Sequence, residues 1–281
     1  MFADDAVVYT SNENFNECIR KINVLVDKLS VWMSKNRLTV NTKKTKIMLL
    51  SLRQVDNFPN VYFNGTAIEW VSEIKYLGVI IDSKLKFNHH INHICSKLSG
   101  LLGLFYSMNH FMPIKTMMNL YHSLVGSTIN QNIIIWGGAP KCHTSKIFTL
   151  QNKILRIILN VRYNQYRIPL MRTNDMYKKL NILQFKDIYK LSLLKFIHNC
   201  LYKNPDFFIN YFSPYLPNHQ YQTRNITNNR INLPSVRLDA QMQSTVFQCC
   251  KLFNELPPYF LEPQTIFSLK KNFKILCLSK Y

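Results

Sequence analysis

The sequence predicts an α+β protein in which short strands and one helix are followed by a region made only of helices. Two observations predict this division. Over residues 1–85, short apolar runs alternate with turn residues, a pattern typical of strands. From Phe87 onward, apolar residues recur at every third or fourth position, a pattern typical of amphipathic helices. The hydrophobic fraction of 47% is ample for a buried core in a chain of 281 residues.

The first region is predicted to contain one helix among short strands. The helix covers 15–33, where apolar residues fall on one face, and Ser11 or Asn12 would cap its start. Asn64-Gly65, between two apolar runs, is a strong signal for a two-residue hairpin. The predicted strands are 6–9, 46–50, 61–63, 66–68 and 76–81. Together these elements make a small α+β unit.

The second region is predicted to be helical almost throughout. Pro113 suits the first turn of a helix, where its missing N–H is not needed. The stretch 204–240 is rich in proline, asparagine and aromatic residues, and we expect it to be irregular. The predicted helices are 88–109, 113–127, 144–160, 184–203, 243–254 and 264–277.

The chain carries a large positive charge that is concentrated in its second half. Its 35 basic and 15 acidic residues give a net charge of +20. Residues 1–140 contain 14 basic and 9 acidic residues, whereas residues 141–281 contain 21 and 6. Such a surplus favours binding to a polyanion, above all to nucleic acid. The alternatives are a purely solubilising role for the charge, a basic bias common to the proteins of the organism and, more weakly, contact with an acidic membrane surface.

Several features of the sequence predict an intracellular protein without a membrane span. No apolar run approaches the ~20 residues that cross a bilayer, and the start of the chain lacks a secretory pattern. The seven cysteines include no Cys-x-x-Cys pair, so we expect reduced thiols. The protein is therefore predicted to be nuclear or cytoplasmic, and the sequence gives no indication of its oligomeric state.

Asp4 and Asp5 are the most informative chemical feature of the sequence. Two adjacent carboxylates repel each other unless a cation neutralises them. Mg²⁺ is the usual cation, because hard divalent ions take carboxylate oxygens as ligands. If the apolar run 6–9 closes a hairpin, both carboxylates point outward from its tip. The alternative is a solvated turn near the start of the chain.

A set of short segments follows the motif Phe2-Ala3-Asp4-Asp5 in a characteristic order. They are Trp32, Asn36, Leu38, Asn41 and Lys44-Thr45; Lys75 to Asp82; Leu85 to His90; Tyr121; Ile135-Trp136-Gly137; Leu150 to Arg156; His219, Tyr221 and Thr223-Arg224; and Phe253 to Pro257. In order and spacing, these segments resemble the C-terminal part of non-LTR (LINE-type, Jockey-like) retrotransposon reverse transcriptases. The resemblance extends along essentially the whole chain.

The resemblance implies a truncated reverse-transcriptase palm followed by an all-helical thumb and C-terminal region. The palm, with short antiparallel strands, one helix and a primer-grip-like hairpin, would cover residues 1–85. Thumb-like helices would cover 86–140, and a basic helical region would cover 141–281. The implied partners are an RNA template and a DNA primer.

The resemblance also implies roles in two-metal nucleotidyl transfer for individual residues. Asp4 would be the principal Mg²⁺ ligand, and Asp5 would be a weaker one. Lys44 would neutralise or protonate the leaving pyrophosphate; the alternative is an ordinary solvated lysine. Leu77 and Gly78 would bring backbone close to the primer strand, the alternative being a common strand glycine beside a core leucine.

Further residues are predicted to contact the nucleic acid or to pack in the core. The basic residues expected to contact phosphates are Lys153, Arg156, Arg162, Arg167 and Arg172, with Tyr163 and Tyr166 among them. His89, His90 and His93 stand at helical spacing without cysteine partners. We therefore expect them to be solvated or to face a duplex rather than to bind metal. Trp32 and Trp136 are expected in the core.

The family's fingers, nucleotide pocket and first palm aspartate lie before the Asp-Asp motif. We therefore expect the 281 residues of this sequence alone to hold Mg²⁺ weakly and to lack polymerase activity. The alternative function is that of a non-catalytic basic nucleic-acid-binding protein derived from such an element. A third possibility is a basic helical protein in which the motif is coincidental.

Overall fold

The computed structural model describes residues 5–55, 57–161, 171–212, 215, 230–236 and 238–281. The chain divides into two compact units, Met1–Leu85 and Lys86–Tyr281. The first unit combines a helix with short strands, and the described residues of the second unit are helical without strands. A mixed fold of helices and short sheets is therefore confirmed.

The first unit contains one long helix, α1 (Phe15–Lys35), and short strands that pair two by two. The antiparallel hairpins are β2 (Tyr62–Phe63) with β3 (Thr66–Ala67), and β5 (Glu73–Tyr76) with β6 (Val79–Asp82). A parallel pair joins β1 (Lys46–Ile47) to β4 (Glu69–Trp70). The predicted hairpin at Asn64-Gly65 is the β2–β3 turn, where both residues have the positive φ that such a turn requires.

Helix α1 begins with a side-chain cap and packs on one face. The Asn16 N–H donates to Asn14 Oδ1 at 2.9 Å, so Asn14 is the cap instead of the predicted Ser11 or Asn12. The packing face of α1 carries Ile22, Val26 and Leu29, which contact the buried cluster of Val61, Phe63 and Ile68. No residue of α1 is fully buried. The core of this unit is therefore thin.

The structure corrects the strand predictions in three places. Residues 6–9 form no strand, although Asp5 directly before them takes part in a β-bridge, and Val7 and Tyr9 are 57% and 85% exposed. The predicted strand 76–81 is instead divided between β5 and β6 by a turn at Leu77-Gly78. The β1–β4 pair is parallel instead of antiparallel, because residues 48–68 form a crossover long enough to return the chain in the same direction.

The second unit is built from helices of very different lengths. The long ones are α2 (Asn88–Met108), α6 (Lys141–Ile158), α8 (Phe185–Tyr202), α11 (Thr245–Glu255) and α12 (Ile266–Ser279). The short ones are α3 (Ile114–Leu120), α4 (Ser127–Asn130), α5 (Ile133–Trp136), α7 (Thr173–Leu180), α9 (Pro205–Phe212) and α10 (Asp239–Met242). Helix α2 packs along α6, and α8 packs against both α11 and α12.

A large aromatic core holds the helical unit together. Trp136 is fully buried, its ring stacks on Phe185 at 5.7 Å between centroids, and the His90 ring meets it edge-on at 5.3 Å. Phe105, Tyr121, Tyr177 and Phe260 are also at most 2% exposed. Burial of rings this large supplies most of the hydrophobic stabilisation in a helical domain.

Three features of the helical unit differ from the prediction. The helix predicted over 113–127 runs from α3 through a π-helical turn, Tyr121–Gly126, into α4. Helices α5 and α7 were not predicted, because both are too short for a periodic pattern. Within the stretch expected to be irregular, 205–212 is helical, since proline is favourable in the first turn of a helix. Among the described residues, no helix is long and apolar enough to cross a membrane.

Candidate functional site

The predicted metal ligands lie at the start of the first unit. Asp4 is outside the described residues, whereas Asp5 is exposed to solvent and residues 6–12 after it have no regular secondary structure. The carboxylate of Asp5 has the oxygen chemistry that Mg²⁺ prefers. Among the described residues, no group of three His, Cys, Asp or Glu side chains could hold a metal ion. Metal binding by Asp4 and Asp5 remains a prediction.

Lys44 is positioned by a turn that Asn41 organises. The Lys44 N–H donates to the Asn41 carbonyl at 3.0 Å and to Asn41 Oδ1 at 3.2 Å, and the Thr45 hydroxyl donates to the same carbonyl. The side chain of Lys44 is exposed, whereas that of nearby Lys46 pairs with Glu69. The turn therefore holds the Lys44 backbone and leaves its ammonium group available for an anion.

Leu77 and Gly78 form the tip of the β5–β6 hairpin. Their φ angles are +46° and +83°, so both residues occupy the left-handed region. Asparagine and glycine suit such a turn, whereas leucine is strained there by its Cβ. Leu77 is 38% exposed, which differs from the core leucine considered as the alternative. Strain at an exposed turn is found preferentially at functional positions.

The predicted phosphate contacts are scattered along the helical unit. Lys153 is exposed on α6, Arg156 on the same helix is half-buried, and Arg172 is exposed at the start of α7. Arg162 and Arg167, together with Tyr163 and Tyr166, lie outside the described residues. The structure thus brings two of the five basic residues onto one helix.

A long stretch of the chain contains cations but no acidic residues. Between Asp82 and Asp175 there is no acidic residue, and residues 83–174 contain 11 lysines and arginines. We call this stretch the acid-free segment. It includes the packed pair α2 and α6, and the outer face of α6 carries Lys146 two turns before Lys153. A segment with cations and no carboxylates favours contact with polyanions.

The histidine cluster is partly structural. His90 is 3% exposed and lies against Trp136, and burial, with smaller contributions from His93 and Lys97, lowers its pKa to about 4. It is therefore neutral at physiological pH. The expectation of a solvated or duplex-facing side chain is wrong for His90, because its contact with Trp136 joins residues far apart in sequence. His89 is exposed as expected.

Several residues that carry the family resemblance are packing residues. Gln151 is fully buried; its amide donates to the Tyr121 hydroxyl at 2.8 Å and to the Leu183 carbonyl at 3.0 Å. Its Oε1 accepts from the Phe185 N–H at 3.0 Å, which satisfies a free donor at the start of α8. Burial raises the pKa of Tyr121 to about 12, although the hydrogen bond from Gln151 opposes the rise.

Gly137 and Trp136 also pack in the core, whereas Trp32 does not. A Cβ at Gly137 would lie 2.4 Å from Tyr189 Cδ2 and 2.6 Å from the Ile133 carbonyl oxygen, so only glycine fits. Trp136 lies in the core as predicted, and its Nε1–H donates to the Gln131 carbonyl at 2.9 Å. Trp32 was also expected in the core, but 47% of its surface is exposed because it lies away from the packed face of α1.

Comparisons with known proteins support the family resemblance. Residues 1–81 match the family model for reverse transcriptase (RNA-dependent DNA polymerase). The RNA-directed DNA polymerase from mobile element jockey of Drosophila melanogaster is 26% identical over 190 residues, which are 66% of this chain and 20% of that protein. The corresponding jockey protein of Drosophila funebris is 26% identical over 193 residues, with the same coverage of 66% and 20%.

A third relative agrees with these two. The probable RNA-directed DNA polymerase from transposon X-element of Drosophila melanogaster is 24% identical over 160 residues, covering 56% of this chain and 18% of that protein. The chain thus spans about a fifth of the length of the curated relatives it matches. No solved structure matches. The resemblance to reverse transcriptases of non-LTR retrotransposons is confirmed.

Proposed function

We propose that this chain is part of an RNA-directed DNA polymerase of a non-LTR retrotransposon, in which it holds the primer and binds the template–primer duplex. The observation that carries the proposal is the family match over residues 1–81. It covers both the Asp4-Asp5 pair and the strained turn at Leu77-Gly78. Because these residues lie near the two ends of the matched segment, a chance match to the motif Phe2-Ala3-Asp4-Asp5 alone does not account for the family match.

The candidate site residues of the first unit each have a defined role in this proposal. Asp4 and Asp5 are oxygen ligands for Mg²⁺, which when bound supplies activation of the primer 3′-hydroxyl and stabilisation of the leaving pyrophosphate. The exposed ammonium group of Lys44 neutralises charge on the departing phosphates. The backbone of the Leu77-Gly78 turn lies against the primer strand, since Gly78 has no side chain to keep a sugar or phosphate away.

The helical unit supplies electrostatic attraction for the nucleic acid. Ten of the 11 cations of the acid-free segment belong to the helical unit, since only Lys84 lies before Lys86. Lys146 and Lys153 share the outer face of α6, while Ile147 and Ile154 on its other side are buried. Each phosphate contact releases a condensed counterion, so binding should weaken steeply as salt rises.

The same observations favour a second function, binding without catalysis. Two carboxylates supply few of the ligands that two Mg²⁺ ions need, and positioning of a nucleotide requires a pocket. We propose that these 281 residues by themselves bind nucleic acid but do not extend a primer. The test is primer extension by the purified chain with oligo(dT) on poly(A) and Mg²⁺. Extension that disappears in Asp5→Asn would overturn this proposal and show an active polymerase.

Binding itself is tested by fluorescence anisotropy with an RNA–DNA hybrid duplex over a range of salt concentrations. Lys146→Glu combined with Lys153→Glu should weaken binding and lower the salt slope by about two. The control combines Lys270→Glu and Lys271→Glu on α12, which change the net charge equally outside the acid-free segment. An equal loss in both variants would mean that the charge acts nonspecifically, and no binding by the parent chain would contradict the proposed function.

A further inference from the structure

We propose that an exposed aromatic group at the end of α2 stacks on unpaired bases of a single-stranded nucleic acid. The group consists of Tyr106, His110 and Phe111, and we call it the aromatic tip. The inference rests on the proposed function, since it assumes that the helical unit binds nucleic acid. It adds a site that distinguishes single strands from duplexes.

The aromatic tip is unusually exposed for side chains of this kind. Phe111 is 86% exposed and Tyr106 is 66% exposed, and the partly exposed apolar residues Leu104, Met112 and Ile114 lie close to them in the sequence. Exposed apolar side chains grouped on one short segment mark a place where something binds. One exposed ring needs no explanation, but aromatic side chains grouped at the end of one helix form a candidate contact surface.

A ring contact and two hydrogen bonds fix the segment that carries the aromatic tip. The Tyr106 and His110 rings meet edge-on with centroids 5.8 Å apart, one helical turn from each other. The Phe111 N–H donates to the Met108 carbonyl at 3.1 Å, which fixes the turn after α2. Asn109 Nδ2 donates to Asn160 Oδ1 at 2.6 Å and so ties this turn to the end of α6. A fixed platform loses little conformational entropy when a base stacks on it.

The charge around the tip selects an anionic partner. The tip lies within the acid-free segment. The exposed Lys115 follows it in the sequence, and the exposed Lys153 lies on α6, about two turns before Asn160, to which Asn109 is tied. An apolar protein or a neutral membrane would gain nothing from these cations. Nucleic acid satisfies both features at once, because its phosphates pair with cations while its bases stack on rings.

The strand that binds here must have unpaired bases. In a duplex each base is covered above and below by its neighbours, so its face is not accessible to a protein ring. Single strands expose base faces, and aromatic side chains stack on them without strong sequence preference. The aromatic tip therefore suits a single-stranded extension beside a duplex, and the cations of the acid-free segment would hold the phosphates of either form.

The test measures binding of the full chain to a 12-nucleotide uridine RNA and to a blunt RNA–DNA hybrid of the same length. Phe111→Leu, which keeps an apolar side chain but removes the ring, should weaken single-strand binding about tenfold. Phe111→Trp should retain that binding, and duplex binding should stay within about twofold of the parent. Phe267→Leu, at a site on α12 that is 78% exposed, is the matched control and should change neither.

The outcomes separate this proposal from the proposed function. If Phe111→Leu binds the single strand as well as the parent chain does, or if it loses both ligands equally, the aromatic tip is overturned while nucleic-acid binding stands. If the parent chain binds the duplex alone, the tip is likewise overturned. If the parent chain binds neither ligand, both proposals fail. Self-association of the parent chain that Phe111→Leu abolishes, with unchanged binding of the RNA, would make the tip a protein-docking surface instead.

Discussion

The two units of this protein differ in what their residues do. In the first unit, α1 has no fully buried residue, and the buried apolar side chains that the structure describes are those of Val61, Phe63, Ile68 and Val79. In the helical unit, whole aromatic rings such as those of Trp136 and Tyr177 are buried. Yet the residues with implied catalytic chemistry belong to the first unit. The proposed chemistry and the larger buried core therefore lie in different parts of the chain.

A segment can match its family well although the unit that contains it has only a small buried core. Active-site segments are selected for geometry at a ligand, and strained turns such as Leu77-Gly78 lower the stability of the unit that contains them. A partner molecule that binds such a segment also stabilises it. We expect the first unit to depend on nucleic acid or further protein for its stability, whereas the helical unit needs neither.

The largest expected effect comes from separating the units. A chain of residues 86–281 should unfold in one cooperative thermal transition, because it contains the aromatic core. A chain of residues 1–85 should show no cooperative transition, since so small a core does not offset the conformational entropy of folding. Circular dichroism at 222 nm during heating measures both. A sharp transition in the shorter chain would show that the first unit is stable by itself.

A single methyl group at Gly137 should destabilise the helical unit strongly. In Gly137→Ala the new Cβ would meet the Tyr189 ring and the backbone oxygen of Ile133, and only the ring could move. We expect a loss of about 3 kcal/mol in the free energy of unfolding. Urea titration measures it.

The matched control for Gly137 lies on α2. A Cβ at Gly100 would meet nothing within 4 Å, and the residue is helical. Gly100→Ala should therefore stabilise the unit, by up to about 1 kcal/mol. If Gly100→Ala destabilised the unit as much as Gly137→Ala does, the close contacts at Gly137 would not explain its effect.

Loss of the buried amide of Gln151 should have the next largest effect. Gln151→Leu fills the same space but leaves the Tyr121 hydroxyl, the Leu183 carbonyl and the Phe185 N–H without their partner. We expect a cost of about 2 to 3 kcal/mol, measured by urea titration. Thr149→Ala on the exposed face of the same helix is the control and should cost far less. Equal effects would rule out a special role for the buried network.

The sequence predicted long helices well and short elements poorly. Helices α1, α2, α6 and α8 were predicted to within a few residues, because a long amphipathic pattern averages over many positions. Strands of two residues and helices of four, such as β1 and α5, contain too few positions for any periodic pattern. Their formation depends on contacts with distant parts of the chain.

Site residues show the same limit. The turn at Asn64-Gly65 could be predicted because its signal is local, an Asn-Gly pair between two apolar runs. The turn at Leu77-Gly78 could not be predicted from the apolar pattern, because it lies within a run that is typical of one strand. The burial of His90 could not, since it depends on contact with Trp136. The exposure of Phe111 could not either, because an aromatic residue in an apolar segment is by default a core residue.

The smallest expected effect tests whether the strained turn lowers the stability of the first unit alone. Leu77→Asn places a residue that tolerates positive φ at the first turn position and should stabilise the β5–β6 hairpin by about 0.5 kcal/mol. Gly78→Ala adds a Cβ at φ +83° and should destabilise the same hairpin by about 1 kcal/mol. Hydrogen–deuterium exchange of the peptide covering residues 73–82, followed by mass spectrometry, measures both, and exchange across α6 serves as an internal reference. Opposite shifts confined to the hairpin would establish that the two units respond independently. Parallel shifts in α6 would instead show that the two units unfold together and do not differ in stability.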